Sequence, residues 1–363
     1  MKELNAISDP TSVPKPNSAI DFYFKKFIND ERDLPFIYLT LKISIFLVPL
    51  GILLYMPFIS GWIWWGVAIA YLVLNNLVYK GPFGLMFHCI NHRALFKPKY
   101  KLLNYYLPWI IGPFFGQSPE TYFSHHIGMH HAENNMPEDD SSTISYQRDS
   151  FREFMRYYLE FMVAGIFDLF NYLRRKKRFK LARRTVVGEM SFLILCVVLS
   201  FVNFPATLVT FIIPLFIFRF ICMLGNWTQH SFVDAADPAN TYKNSITCIN
   251  IKYNHKCWND GYHISHHERP ARHWSEHPQL FLKTKNKYSE NQAIIFDGLD
   301  YPRVFFYLMC KRYDKLSSHL VNIDNAFESE QEAISILKNR TKPIGLTNFN
   351  SNETEGSDLV TCR

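Results

Sequence analysis

Long apolar stretches, separated by polar segments rich in histidine, dominate the pattern of this 363-residue chain. From Ile43 to Tyr79 the sequence contains no Lys, Arg, Asp, Glu or His. At about 1.5 Å of rise per residue, this stretch is long enough for two helical membrane crossings, with a break at residues 56–61. A second apolar pair follows Val187 and is interrupted at Asn203-Phe204-Pro205, where a helix cannot continue smoothly. The pattern predicts four membrane helices in two hairpins, over residues 36–57, 61–80, 187–204 and 206–224.

Composition and charge agree with a membrane protein and suggest its orientation. Aromatic residues make up 16% of the chain and charged residues only 20%. Neither hairpin tip, at residues 56–61 and 202–206, contains Lys or Arg. Because basic loops stay in the cytoplasm, both termini and every histidine cluster are expected on the cytoplasmic side, either of the endoplasmic reticulum or of a bacterial inner membrane. Shorter apolar stretches at residues 102–116 and 158–173 predict re-entrant or interfacial segments.

The chain is predicted to be an all-α integral membrane protein with three parts. These are a cytosolic arm (residues 1–35), a membrane domain under a cytosolic helical cap (36–320), and a partly disordered C-terminal tail (321–363). Residues 1–18 are also expected to be disordered. The seven cysteines include no Cys-x-x-Cys pair, which indicates free thiols in a reducing compartment.

A strongly basic segment precedes the third predicted span. Eight Lys and Arg residues lie between Arg174 and Arg184. Such a segment favours anchoring on anionic lipid headgroups. Docking of an acidic electron donor is the alternative.

Nine of the 14 histidines fall into four clusters that flank the apolar stretches. The clusters are His88 with His92; His126 with His130 and His131; His230; and His263 with His266 and His267. Neutral imidazole is a good ligand for iron, zinc or copper. Nine imidazoles exceed what one ion accepts, whereas two ions of five or six ligands could use them all. The clusters therefore predict a dinuclear metal centre in the cap, although ligand type alone does not select the metal.

Helical spacing predicts which of these rings share a face. His126 and His130, four residues apart, are expected to face one side, with His131 about 100° away. His126 is favoured over the neighbouring His125 as the ligand. His263 and His266, three residues apart, should repeat the arrangement.

Asn226 lies four residues before His230 and shares its face if the fourth helix continues past the membrane. Capping of that helix is the alternative role for Asn226. The residues expected to lie on the surface or to orient ligands are His255, His273, His277, His319, Asp234 and Glu268.

The order and spacing of these clusters, over about residues 35–320, resemble the membrane-bound fatty acid desaturases and hydroxylases, which carry three histidine boxes around two hairpins. His88 and His92 match the first box. His126, His130 and His131 match the second, and His263, His266 and His267 the third. Asn226 and His230 resemble the acyl-chain desaturase pattern, in which the histidine is a ligand and the asparagine holds a water on one metal.

The resemblance implies two iron ions (Fe²⁺/Fe³⁺), molecular oxygen as co-substrate, a fatty acyl lipid substrate in a kinked tunnel, and membrane lipids as surroundings. It implies electrons from a separate donor, cytochrome-like or ferredoxin-like, since neither end carries a His-Pro-Gly-Gly haem motif. No nucleic-acid partner is expected. Aromatic and amide residues of the second span are candidates to line the tunnel, with lipid-facing positions as the alternative for the tryptophans: Trp62, Trp64, Trp65, Tyr71, Asn75, Asn76 and Tyr79.

Three other functions are weighed against desaturation. Hydroxylation would use the same boxes and is the main alternative. A zinc hydrolase would need fewer imidazoles and a carboxylate that positions water. A metal transporter would place its ligands within the spans, where acidic residues and histidines are scarce. The carrier of the acyl chain, whether coenzyme A, carrier protein, glycerolipid or sphingolipid, is left open.

Overall fold

Three long apolar helical runs form the membrane-like part of the computed structural model, which describes residues 1–345. The first run spans Glu31–Leu53, the second Gly61–His92 and the third Phe179–Gln229. Each is long and apolar enough to cross a membrane. Their outward surfaces carry large apolar side chains such as Trp62 and Phe201, which are 90% and 89% exposed. Such surfaces are typical of contact with lipid.

The third run is a hairpin and not one straight rod. Asn203 leaves helical geometry (φ −159°, ψ 98°) and Pro205 follows it. The Arg219 Nη2 atom lies 3.2 Å from Glu189 Oε2, although 30 residues separate them in the chain. Thirty residues of straight helix would extend about 45 Å, so this contact requires the run to fold back at Asn203. The predicted break at Asn203-Phe204-Pro205 is thus present, with apolar helical arms on both sides.

Each run consists of shorter helical elements. The first two runs contain the helices Leu34–Lys42, Val48–Leu53, Gly61–Val73 and Lys80–His92, joined by π-helical turns at Ile43–Leu47 and Leu74–Tyr79. The third contains Phe179–Thr207, a π-helical turn at Leu208–Ile212, and Ile213–Gln229. A π-turn adds a residue to the helical turn and so rotates the side chains that follow it.

Two further segments lie beside the runs. Residues 98–115 form two 3₁₀ helices, Pro98–Tyr105 and Gly112–Phe115, on either side of a π-helical turn at Leu107–Ile111. The 25-residue helix Phe151–Arg175 buries Phe154, Tyr157 and Leu169, whereas Leu159, Val163 and Phe167 are exposed on another face. An amphipathic helix with an exposed apolar stripe suits the interfacial position expected for residues 158–173.

The cap is built from the remaining short elements. Its α-helices are Ala19–Lys25, Thr121–His125, His131–Glu133, Thr241–Asn244, Lys252–Lys256, His263–Glu268, His277–Lys283, Lys285–Glu290, Tyr301–Met309, Tyr313–His319 and Glu330–Asn339. A π-turn spans His126–His130, and 3₁₀ turns span Glu31–Asp33, Trp274–Glu276 and Ile323–Asn325. The expectation of an all-α fold needs a small correction, because Ile246–Ile249 and Ile294–Asp297 pair as two parallel strands. All eight strand residues are buried. The sequence therefore lacks the alternation of apolar and polar residues by which a half-exposed strand is predicted.

Both chain ends pack onto the cap within the described residues. Lys2 bonds to Asp297, and the buried Asp9 carboxylate accepts hydrogen bonds from the backbone N–H groups of Asn250 and Ile251. The expectation that residues 1–18 are disordered is therefore wrong. Polar composition misled it, because this segment combines specific hydrogen bonds with a few apolar side chains, such as Leu4 and Ile7, that pack against the cap core. Leu337 belongs to the cap core and Arg340 is buried, whereas the predicted disorder of the tail beyond residue 345 lies outside the described residues. The boundaries at residues 35 and 320 stay predictions.

The hairpin yields a direct test through its partly buried ion pair. Removing either charge, by Glu189→Ala or Arg219→Ala, should destabilise the protein by about 1–3 kcal/mol because the other charge loses its partner. The double variant should cost less than the sum of the two single variants. Thermal unfolding of the detergent-solubilised protein measures all three; strict additivity would contradict the contact.

Candidate metal centre

The first histidine box lies at the end of the second apolar run. This run has 32 residues and therefore extends about 48 Å, well beyond the roughly 30 Å of a bilayer core. Its last turns place His88 and His92, four residues apart, on one face. The Nε2 atom of His88 lies 2.8 Å from that of His266, and the Nε2 atom of His92 lies 3.0 Å from that of His126. The predicted pairing of His88 with His92 is present.

The second box is arranged differently from the helical prediction. Residues His126–His130 form a π-turn, in which residues five apart approach the same face. His126 and His131 consequently lie together, with their Nε2 atoms 3.1 Å apart, while His130 joins the other histidines. His126 and His130 do lie side by side, with ring centroids 5.6 Å apart, but their nitrogen atoms belong to different sets of histidines, which α-helical spacing did not predict. His126 rather than His125 enters the cluster, as the sequence favoured.

The third box occupies the short helix His263–Glu268. His263 and His267, four residues apart, face one cluster, whereas His266 faces the other. Spacing of four thus prevails over the expected spacing of three. Gly261 sets the approach to this helix: its carbonyl accepts from the Cys248 N–H at 2.7 Å, and a Cβ at position 261 would lie 2.3 Å from the Cys248 oxygen. A larger residue would push the box away from the strand.

His230 completes the arrangement at the end of the third apolar run. It follows the last helical residue of Ile213–Gln229 and is fully buried. Its Nε2 atom lies 3.1 Å from that of His263. His230, the fourth cluster, therefore lies beside His263 of the third box.

The nine histidines form two groups, and within each group one nitrogen atom per ring lies within 4.8 Å of all the others. Group 1 consists of His88, His92, His126, His131 and His266. Group 2 consists of His130, His230, His263 and His267. The groups adjoin, since the ring centroids of His131 and His267 are 4.7 Å apart. Such a division could hold two ions rather than one.

The electrostatics of the pocket favour neutral rings. Burial, followed by the charges of neighbouring histidines, lowers the pKa of His126, His131, His263, His266 and His267 well below the ordinary value. Burial likewise lowers the pKa of His230 to about 4. Neutral imidazole presents a free lone pair, which is the form that binds a metal.

The distances between donors also fit metal binding. Ligand nitrogens at about 2.1 Å from an ion are about 3.0 Å apart at right angles and about 3.4 Å apart at the tetrahedral angle. The Nε2–Nε2 contacts of 2.8–3.1 Å match the right-angled case. This spacing suits an ion with five or six ligands better than a tetrahedral one.

Hydrogen bonds from outside the groups fix several rings. The Asp139 carboxylate lies 2.7 Å from His130 Nδ1, and the Asn244 carbonyl lies 3.0 Å from His230 Nδ1, so Nε2 of both rings is left for a ligand. Asp260 Oδ1 lies 3.8 Å from His88 Nδ1, and burial raises the pKa of Asp260 to about 7. Sequence reasoning missed these three partners, because no spacing relates them to the boxes.

The residues expected to orient ligands take other partners. Asp234 pairs with Arg340, and Glu268 pairs with Lys287. The Asn226 amide donates both its hydrogens, to the Ser141 carbonyl at 2.7 Å and to the Tyr157 hydroxyl at 2.9 Å. This anchors Asn226 four residues before His230 and leaves the oxygen of its side chain as the acceptor.

The other histidines lie outside both groups. His255 is exposed, His319 bonds to the Asp297 carbonyl, and His277 bonds to the hydroxyl of Ser265, inside the third box. His273 lies with Asp30 and Asp33 in a third cluster of possible ligands. Arg93 contacts both of these carboxylates, at 2.7 and 3.5 Å, so this cluster is an ion-pair network.

Fold and site together define a mostly helical protein with candidate membrane helices and a histidine-rich site of metal-binding type. A family model described as Fatty acid desaturase matches residues 62–298, more than half of the chain. The chain belongs to the fatty acid desaturase family. Comparison with curated proteins finds no match.

The low pKa values predict a steep pH dependence for protein stripped of metal by a chelator. Below about pH 6.5 the unfolded state takes up protons that the buried rings refuse, so stability falls as pH falls, by about 1.4 kcal/mol per pH unit for each ring. Unfolding in detergent between pH 7 and 5 measures the slope. His131→Ala should make it shallower, and His255→Ala, at an exposed ring, should not. Equal slopes for both variants would contradict the burial argument.

Proposed function

We propose that the protein desaturates a fatty acyl chain, using molecular oxygen and two iron ions held by the two histidine groups. The observation that carries this proposal is the adjacency of group 1 and group 2, formed by nine buried or partly buried imidazoles in a member of the fatty acid desaturase family. A zinc hydrolase would leave most of these rings without use. The scarcity of ligands within the apolar runs argues against a transporter.

The nine histidines are the proposed ligands. Group 1 supplies five imidazoles and group 2 supplies four. Asn226 would complete group 2 through a water molecule, because its anchored amide directs an acceptor oxygen from the turn before His230. Iron is proposed because the chain belongs to the fatty acid desaturase family, and donor spacing that suits five or six ligands is compatible with an ion that keeps open positions.

When bound, the iron pair would supply oxygen activation. Two hydrogens leave the acyl chain, and O₂ is reduced to two waters with these hydrogens, two electrons from the donor and two protons from solvent. The protein's own residues position the proposed ligands. Asp139 and the Asn244 carbonyl hold the rings of His130 and His230 in one orientation. Burial of His130, His230 and His263 limits the access of bulk water to group 2.

Regiochemistry must come from how the acyl chain is held, since its methylenes are chemically alike. A narrow cleft reaches His88, His92 and His266 and is lined in part by Phe36, Leu85 and Trp258. We propose it as one approach to group 1. Of the tunnel candidates, Tyr71 and Asn75 are buried and bond to the Phe114 carbonyl, whereas Trp62 faces outward.

The remaining features of the proposal concern the surroundings. Four apolar arms crossing the membrane, with both termini and the site in the cytoplasm of an endoplasmic reticulum or bacterial inner membrane, would follow the charge of the loops. Electrons would come from a cytochrome-like or ferredoxin-like donor. The exposed basic residues around Arg174 and Lys177 offer a charged surface to such a partner or to anionic lipids.

The main test is the lipid profile of an aerobic host that expresses the wild type, His267→Ala or His255→Ala, with double-bond positions mapped by mass spectrometry. A new unsaturated species should appear with the wild type and with His255→Ala, because the exposed His255 belongs to neither group. It should vanish with His267→Ala, which removes a proposed ligand. A hydroxylated species with the same dependence would instead establish the hydroxylase alternative. A product that survives His267→Ala would contradict the proposed site.

The donor is tested separately with purified protein. Oxygen-dependent turnover should require a reduced cytochrome-like or ferredoxin-like protein and should weaken as ionic strength rises, because charged surfaces steer the encounter. Activity supported by NADH alone, with neither donor effective, would overturn this part of the proposal.

A further inference from the structure

The segment around residues 340–344 lies against the part of the cap that carries His230. Val233 N–H donates to the Arg340 carbonyl at 2.9 Å, and Ile344 N–H donates to the Ile144 carbonyl at 2.8 Å. The Thr341 carbonyl accepts from Arg148 N–H at 2.8 Å. The segment is thus hydrogen-bonded on one side to the residues just after His230 and on the other to the loop at residues 144–148.

The side chain of Arg148 lies between these segments and connects them. It is fully buried, and its guanidinium donates to six backbone carbonyl oxygens. These belong to Thr143, Ile144, Tyr146, Ser231, Arg340 and Lys342. Only the planar fork of arginine supplies five N–H donors, so lysine could not satisfy this set. A buried cation that donates to carbonyls of three separate segments fixes the positions of these segments relative to one another.

The segments that Arg148 holds also contact His230, a proposed metal ligand. Thr143 Oγ1 donates to the His230 carbonyl at 2.7 Å, and both groups are buried. Thr143 N–H in turn donates to Asn135 Oδ1 at 2.7 Å, while Asn135 Nδ2 donates to Asn244 Oδ1 at 2.8 Å. Asn244 also accepts from His230 Nδ1. His230 is therefore held at its backbone by Thr143 and at its ring by Asn244, and one network joins the two.

The same network reaches a second member of group 2. Asn135 N–H donates to Asp139 Oδ2 at 3.2 Å, and this oxygen lies 2.7 Å from His130 Nδ1. The hydrogen bonds described here involve two of the four histidines of group 2 and end short of group 1.

We propose that residues 340–344, Arg148 and Thr143 form a brace that positions His230, so that the C-terminal segment is part of the group 2 metal site. This inference rests on the proposed function only in taking group 2 as a metal site. Thr143 and Arg148 are positioning residues, because they act on the metal through His230.

Iron binding to purified full-length protein, measured anaerobically with Fe²⁺ and by Mössbauer spectroscopy of ⁵⁷Fe, tests the brace. Thr143→Val keeps the size of the side chain and removes the hydroxyl, and should weaken iron binding at one of two sites about 10-fold or more. Thr143→Ser keeps the hydroxyl and should restore the wild-type spectrum. Thr207→Val is the matched control, since its buried hydroxyl donates to the Asn203 carbonyl at the hairpin tip.

Two chains with new stop codons address the segment itself. A chain ending after residue 345 retains the brace and should bind about two irons, whereas one ending after residue 339 should lose the iron of group 2 first. Thr143→Val decides the matter even where the shorter chain fails to fold. Iron binding by Thr143→Val that equals that of Thr207→Val, or that falls equally at both sites, would overturn the brace. A wild type that binds no iron pair would instead overturn the proposed function.

Discussion

The convergence of nine imidazoles in two adjoining groups is the constraint on which the rest of this structure depends. Neutral rings with nitrogen atoms 2.8–3.1 Å apart either share a proton between the two nitrogens or direct both lone pairs at a cation. Charging the rings in this pocket is costly. The surrounding protein must therefore bring the rings together without added charge, and the elements that meet there are fixed accordingly.

The two groups are coupled through the chain. The second box sends His126 and His131 to group 1 and His130 to group 2, and the third box divides His266 from His263 and His267 in the same way. Neither group can shift without moving a residue one peptide bond away in the other. Group 1 also takes His88 and His92 from the end of the second apolar run, so its position follows the packing of the apolar runs. Group 2 instead takes His230 from a helix end and relies on hydrogen bonds around it.

The sequence predicted the gross arrangement because apolar runs and histidine spacing are local signals. Both hairpin breaks and all nine histidines could be found in this way. The division of the histidines into groups could not, since it depends on a π-turn at His126–His130 that no propensity reveals. Asp139, Asn244 and Arg148 were equally out of reach, because their partners are set by tertiary contacts. Composition misjudged residues 1–18, where a few specific hydrogen bonds and scattered apolar contacts fix a mostly polar segment.

The small parallel sheet shows how the cap depends on the N-terminal segment and on residue 321. Its strands flank the third box in sequence, and Cys248 bonds directly to Gly261, two residues before His263. A two-stranded sheet is barely stable alone. Here Lys2 bonds to Asp297 at the end of one strand, Val321 N–H bonds to the Ile295 carbonyl, and Asp9 holds the turn after the other strand. The N-terminal segment thus steadies the third box, as residues 340–344 steady His230, and the ligands contributed outside the apolar runs depend on contacts far away in sequence.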